Sequence, residues 1–254
     1  MTSMADLNDE LFEKIQNQFN KNIANDIHVK KFNELLAAGE ASQIDLMNYS
    51  RRLGENLSKS FVSVFGSAQL PDEKITYEIA NATIKPMTKN AHAIFNRQAK
   101  ATQKKLDEAQ NIGLNAVEAK YSDRRINGIV SKILQPQITT WDEQKKFLDE
   151  PIVNICMNFY DDFIHENADF RFRAGMKPKI IRTSEIKCCE WCSKNAGTYD
   201  YEDVSDSGNN VFRRHQRCRC SVVFDSGGTA QNVWTKVVYK SSAAVLRQRE
   251  QAGL

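Results

Sequence analysis

Five residues near the C-terminal end have the types and spacing to hold a metal ion. Cys189 and Cys192 form a Cys-x2-Cys pair, and after a gap of 22 residues His215, Cys218 and Cys220 follow as His-x2-Cys-x-Cys. Zinc takes a tetrahedron of thiolate and imidazole donors, and two such clusters can supply it from two separate hooks of chain. Five candidates compete for four places. Cys189, Cys192, His215 and Cys218 make one complete set, and Cys220 is the rival of His215. Cys188 adjoins a ligand and is expected to point away. Four protein ligands leave no place for water, so the metal is expected to be structural and no catalytic residue is assigned. The plainer alternative is a set of buried free thiols beside a hydrogen-bonded histidine.

Basic residues crowd this stretch: Arg171, Arg173, Lys177, Lys179, Arg182, Arg213, Arg214, Arg217 and Arg219. Arg213, Arg214, Arg217 and Arg219 lie nearest the ligands and could meet DNA phosphate or an acidic protein surface. The competing reading is solvated strand edges, with an arginine or two donating to loop carbonyls. Trp191 is expected to cap a small core. Asp200, Glu202, Asp203 and Asp206 form an acidic loop that could take a cation, or simply a solvated loop.

The elements that must position these groups differ along the chain. Residues 1–169 read as helical. Leu7, Leu11, Ile15, Phe19 and Ile23 line a first helix, and Phe32, Leu35 and Leu36 continue an apolar face up to Gly39. Ser42 caps a helix bearing Leu46, Tyr49, Leu53 and Leu57. Pro71, Asp72 and Glu73 suit the first turn of another, which Pro86 kinks or ends. A long polar helix from about Met87 to Ala119 has a thin apolar stripe, suited to a partner subunit or to the edge of a bundle. Thr140 to Glu143 reads as a capping box for a helix carrying Phe147, Leu148, Ile152, Ile155, Phe159, Phe163 and Ile164. From 170 to 225 the pattern shortens into brief strands: KIIRTS, TYDY, VFRRH and CRCSVVF. A short module of this kind buries little apolar surface, and metal binding can supply folding energy on the order of 10 kcal/mol. Residues 226–254 form an extension, with Val233 to Tyr239 as a further strand and Ala243 to Gln251 as a helix. The fold class expected is therefore α+β: a mostly helical N-terminal region followed by a small zinc-stabilised antiparallel β module.

Composition bounds the function. The chain has 254 residues, 41% of them apolar, and a net charge of +3, so a packed core is affordable and no global pull toward nucleic acid exists. No basic leader precedes an apolar run, and no stretch of ~20 apolar residues marks a membrane span. The cytosol is the expected site of synthesis, where clustered cysteines read as metal ligands sooner than as disulfides. Cys156, in the apolar run IVNICMNFY, reads as core filling.

The motif resembles the C-terminal domain of bacteriophage Mu F-like minor head proteins, also called head morphogenesis or minor capsid proteins. The matching residues are Cys189, Cys192, Ala196, Gly197, Tyr199, Arg214, His215, Cys218, Arg219 and Cys220, preceded by the strand Lys179 to Ser184. The resemblance covers roughly residues 170–225. Gln216 stands where many relatives carry a proline. What the resemblance implies is a structural virion component, present in multiple copies, associated with the portal protein or the major capsid protein. It implies a link to head assembly, DNA packaging or DNA delivery, with assembly in the host cytoplasm and phage DNA as a further partner. Two alternatives remain at this level: a zinc-containing nuclease, and a DNA-binding effector. A zinc deaminase is excluded, because Cys188-x-Glu190 lacks the downstream Cys-x2-Cys that this chemistry needs.

Overall fold

A computed structural model describes residues 3–185, 188–206, 208–227 and 243–253. Local signals set most of its helix boundaries. Helix α1 (Met4–Asn25) opens on a capping box between Ser3 and Asp6 and buries Leu11, Ile15 and Phe19. Asp26 starts α2 (Ile27–Ala38) by accepting from the His28 and Val29 N–H groups at 2.9 and 3.3 Å. Gly39 ends it at φ +75°, a left-handed conformation that a Cβ would strain. Helix α3 (Gln43–Ser67) begins with a second reciprocal cap. Ser42 Oγ accepts from Asp45 N at 3.1 Å, and Asp45 accepts from Ser42 N at 2.9 Å. The FVSVF segment belongs to this helix and buries Phe61, Val64 and Phe65.

Four boundaries depart from expectation, each for a local reason. Pro71–Glu73 is an isolated 3-10 turn with Asp72 and Glu73 at positive φ, because Leu70 offers no side-chain cap. The helix starts instead behind Thr76, whose hydroxyl accepts from Ile79 N. From α4 (Tyr77–Ile79) the chain runs through a π turn (Ala80–Ile84) into α5 (Lys85–Gln110), so Pro86 does not end the helix. Helix α5 then stops well short of Ala119. Asn111 turns left-handed at φ 56°, its N–H donates to Glu108 O, and Ile112 N–H donates to Asp107 O at 2.9 Å. That pair of bonds is a Schellman cap with asparagine at its left-handed position. After α6 (Asp123–Ile133), the expected helix from Thr140 is split at Asp149 into α7 (Trp141–Leu148) and α8 (Glu150–Arg173), with Pro151 in the first turn of the second.

The chain forms two compact units, each assembled from separate stretches. The first comprises Met1–Lys30, Tyr49–Phe95 and Lys120–Met157. Its interior is helical, with Phe65 between Phe61 and Trp141 at ring separations of 6.0 and 6.1 Å. The buried Gln144 amide accepts from Ile75 N and donates to the carbonyls of Ile75 and Ile133. Cys156 is wholly buried there, and burial pushes its thiol up.

The second unit comprises Lys31–Asn48, Asn96–Ala119 and Asn158–Leu254. It holds a three-stranded antiparallel sheet of order β2-β1-β3, built from β1 (Lys179–Thr183), β2 (Gly197–Asp200) and β3 (Ser221–Asp225). The short helices α9 (Glu190–Lys194) and α10 (Tyr201–Val204) flank β2. The outer edge of β3 is sealed by side chains. Tyr160 donates to Val222 O at 2.5 Å, Gln43 accepts from Phe224 N at 2.9 Å and Gln248 donates to Phe224 O at 3.3 Å. One sheet face packs Ile181 and Val223 against Ala252 of α11 (Ala243–Ala252). By strand alternation Ile180 and Arg182 emerge on the other face. The helix expected at Ala243 to Gln251 is present; the strand expected at 233–239 lies outside the described residues.

Candidate metal centre

Two hooks of the second unit meet opposite Arg182. The first is the turn into α9. Cys189 is its N-cap, with φ −69° and ψ 160°, and its sulfur accepts from Cys192 N at 3.4 Å. That geometry puts Cys192 one helical turn on, facing the same point as Cys189. The backbone N–H of Cys192 holds the Cys189 thiol below its usual value.

The second hook runs from a 3-10 turn (Asn210–Phe212) to β3. VFRRH is therefore not a strand, and Cys218 and Cys220 precede β3 rather than lying on it. Arg217 at φ 60° reverses the chain, and Cys218 N–H donates to His215 O at 3.1 Å. Gln216 completes the turn without a proline: its carbonyl lies 2.7 Å from His215 Nδ1. A carbonyl only accepts, so Nδ1 carries the proton and Nε2 presents its lone pair. Nε2 faces Cys192 Sγ at 3.0 Å and Cys189 Sγ at 3.3 Å. The sulfurs of Cys192 and Cys218 are 3.7 Å apart.

The five candidates gather in two overlapping groups, and no four of them lie mutually within 4.8 Å. Their donor atoms form two triads, Cys189–Cys192–His215 and Cys192–Cys218–Cys220, each with every pair within 4.8 Å. Cys192 belongs to both. Cys192, Cys218 and Cys220 are buried; Cys189 and His215 face solvent. Cys188 does not point clear of the group but packs against it and lines the cleft of about 250 Å³ that opens beside it. Trp191 meets the His215 ring edge-on at 5.9 Å and closes one side, as a cap should.

The donor set suits a soft or borderline divalent cation. Burial, together with the Cys220 and Cys218 sulfurs, pushes the Cys192 thiol up, and burial likewise raises Cys220. A bound cation would invert that balance, since thiolates crowded around it are stabilised where crowded thiols are not. The ion would then cross-link the two hooks.

The remaining motif residues have structural tasks. Gly197 adopts φ +155°, and a Cβ there would lie 3.3 Å from the Tyr199 ring. Tyr199 in turn donates to Asn195 O at 3.2 Å, at the end of α9. Arg214 is the largest correction to the basic patch. Its side chain is 1% exposed, and it holds Asp161 through Nε at 2.5 Å and Nη2 at 2.8 Å while Nη1 donates to Cys220 O. It cannot reach a partner. Arg171 is also internal, bidentate to Asp107 at 2.5 and 2.6 Å. Arg173 and Lys179 pair with Asp169 and Asp200. Arg213, Arg217 and Arg219 are exposed, and the last two line the cleft. Among the described residues the acidic loop at Asp200 to Asp206 forms no ligand group.

The part of Arg182 was missed from sequence, where it reads as one more basic residue. Its guanidinium lies over Trp191 at 5.2 Å and donates toward Cys218 and Cys192 sulfurs at 3.7 and 3.9 Å. A signal existed in retrospect: a charged residue directly after Ile180 and Ile181 in a short strand. No known family, no curated protein and no solved structure matches the chain.

Proposed function

We propose that this chain is a phage minor head protein whose C-terminal half is tied together by one structural zinc ion. The observation that carries the reading is the pair of overlapping triads, Cys189–Cys192–His215 and Cys192–Cys218–Cys220, which join two hooks separated by a sheet strand and two short helices. Zinc is favoured by the donor chemistry. Two sulfurs bound at about 2.3 Å in a tetrahedron lie about 3.8 Å apart, and Cys192 and Cys218 are separated by 3.7 Å. The viral assignment rests on the motif resemblance, and the structural work done by Gly197, Tyr199 and Arg214 supports its coherence. No catalytic residue is assigned. Mass spectrometry of purified procapsids and virions tests the role: the polypeptide is expected in both, and its absence from both would refute it.

A DNA-binding reading draws on Arg217 and Arg219, which line the cleft beside His215. It predicts affinity for duplex DNA that falls steeply with salt and weakens in an Arg217→Ala/Arg219→Ala double variant. Salt-insensitive binding would dismiss it.

A further inference from the structure

Arg182 is an internal cation that, among the described residues, forms no salt bridge to a carboxylate of its own. It is 1% exposed. The two other internal arginines of this unit, Arg171 and Arg214, each grip an aspartate. Arg182 instead donates from Nη1 to the carbonyls of Val211 and Arg213 at 2.6 and 2.9 Å, while Nη2 points at the sulfurs of Cys218 and Cys192. Its Nε is buried without a partner. Asp161 lies near enough for the Arg182 charge to favour its ionised form, but Arg214 already holds that carboxylate. Among the described residues Arg182 therefore has only carbonyls and sulfurs as hydrogen-bond acceptors, and carbonyl dipoles offset only part of a full buried charge. Neutral thiols would leave that charge uncompensated. Thiolates held by a divalent ion would not: three thiolates, one imidazole and a dication sum to one negative charge, and four thiolates with a dication sum to two.

We propose that Arg182 is a positioning residue of the metal centre, anchored by loop carbonyls so that its guanidinium donates to the Cys192 and Cys218 sulfurs and balances an anionic metal–thiolate group. This rests on the metal reading above and adds to it the charge of the loaded site and the residue that answers it.

The test uses the full chain loaded with cobalt(II), in wild type, Arg182→Gln and Arg182→Lys. Competition against a chromophoric chelator gives affinity, and the visible spectrum reports the ligands. Arg182→Gln is expected to weaken binding by roughly ten- to hundredfold, as loss of an outer-shell contact does, with Arg182→Lys between it and wild type. The ligand-field bands should stay in place, because the ligands are unchanged. The thiolate-to-cobalt charge-transfer band should move to lower energy, because the sulfurs lose donors; a merely structural arginine would not move it. Affinity of Arg182→Gln within about threefold of wild type, with an unmoved charge-transfer band, overturns the proposal. Should Arg182→Gln fail to fold, Arg182→Lys decides on the same band: displaced in favour, unmoved against. A wild type that takes up no cobalt refutes the metal centre itself, a result distinct from a loaded wild type with an indifferent variant.

Discussion

Three internal arginines in the second unit each face a different acceptor, and the consequences can be measured singly. Arg214 and Asp161 are both nearly inaccessible and joined by two hydrogen bonds. Burial works against the Arg214 charge, but Asp161 more than restores it. Arg214→Met should destabilise by about 3–5 kcal/mol in urea melts, because it strands a buried carboxylate. Replacing Asp161 with Leu as well should recover most of that loss. In the first unit, burial opposes ionisation of Asp26, but hydrogen bonds from Arg52, Asn56 and the N–H groups of His28 and Val29 win and hold it down at about 2. A depressed carboxyl stabilises above its unfolded value near 4 and loses that contribution as pH falls toward 2, so roughly 2–3 kcal/mol should vanish across that window. Asp26→Asn should remove this acid limb from the pH–stability curve. At this scale the sequence showed all five candidate donors, because residue type and spacing are written locally. It did not show Asp161 or Asp107, whose arginine partners lie 53 and 64 positions away.

At the scale of elements, short-range chemistry was legible and compensation was not. The caps at Ser42 and Thr140 and the stop at Gly39 could be read directly because each acts within four residues. The passage through Pro86 could not, since it depends on a π turn that no residue type announces. The asparagine cap at Asn111 was legible in principle, but the helical period beyond it hid it. The thin stripe on α5 proved wider than apolar residues alone suggested: Thr102, Gln103 and Asp107 are buried beside Leu106. One close helix contact invites a test. A Cβ on Gly54 of α3 would sit 2.8 Å from Val153 Cα and 3.0 Å from Cys156 Cβ on α8. Gly54→Ala gains about 1 kcal/mol of helix propensity, yet overpacking against backbone typically costs 1–3 kcal/mol. The variant should therefore melt lower than wild type, by calorimetry, despite being the better helix former.

For the whole molecule, the described structure is mostly helical with one small sheet, and no helix among the described residues is long and apolar enough to cross a membrane. Its second unit draws on residues from 31 to the C-terminal helix, an interleaving that a linear walk along the chain cannot foresee. The supports of the sheet predict how it fails. β3 is braced by Tyr160, Gln43 and Gln248, whereas the α9 hook packs at the cysteine cluster and β2, which follows it, is an edge strand paired with β1. Chelation should therefore accelerate amide exchange at Cys192, Cys218 and Gly197 to Asp200 far more than at Val222 to Phe224, with the helices of the first unit unchanged. The most direct measurement is elemental analysis of the purified, reduced, full-length chain. The account predicts one zinc per polypeptide, lost when Cys192 is changed to Ser. Protein that is folded, reduced and free of any stoichiometric transition metal would contradict it.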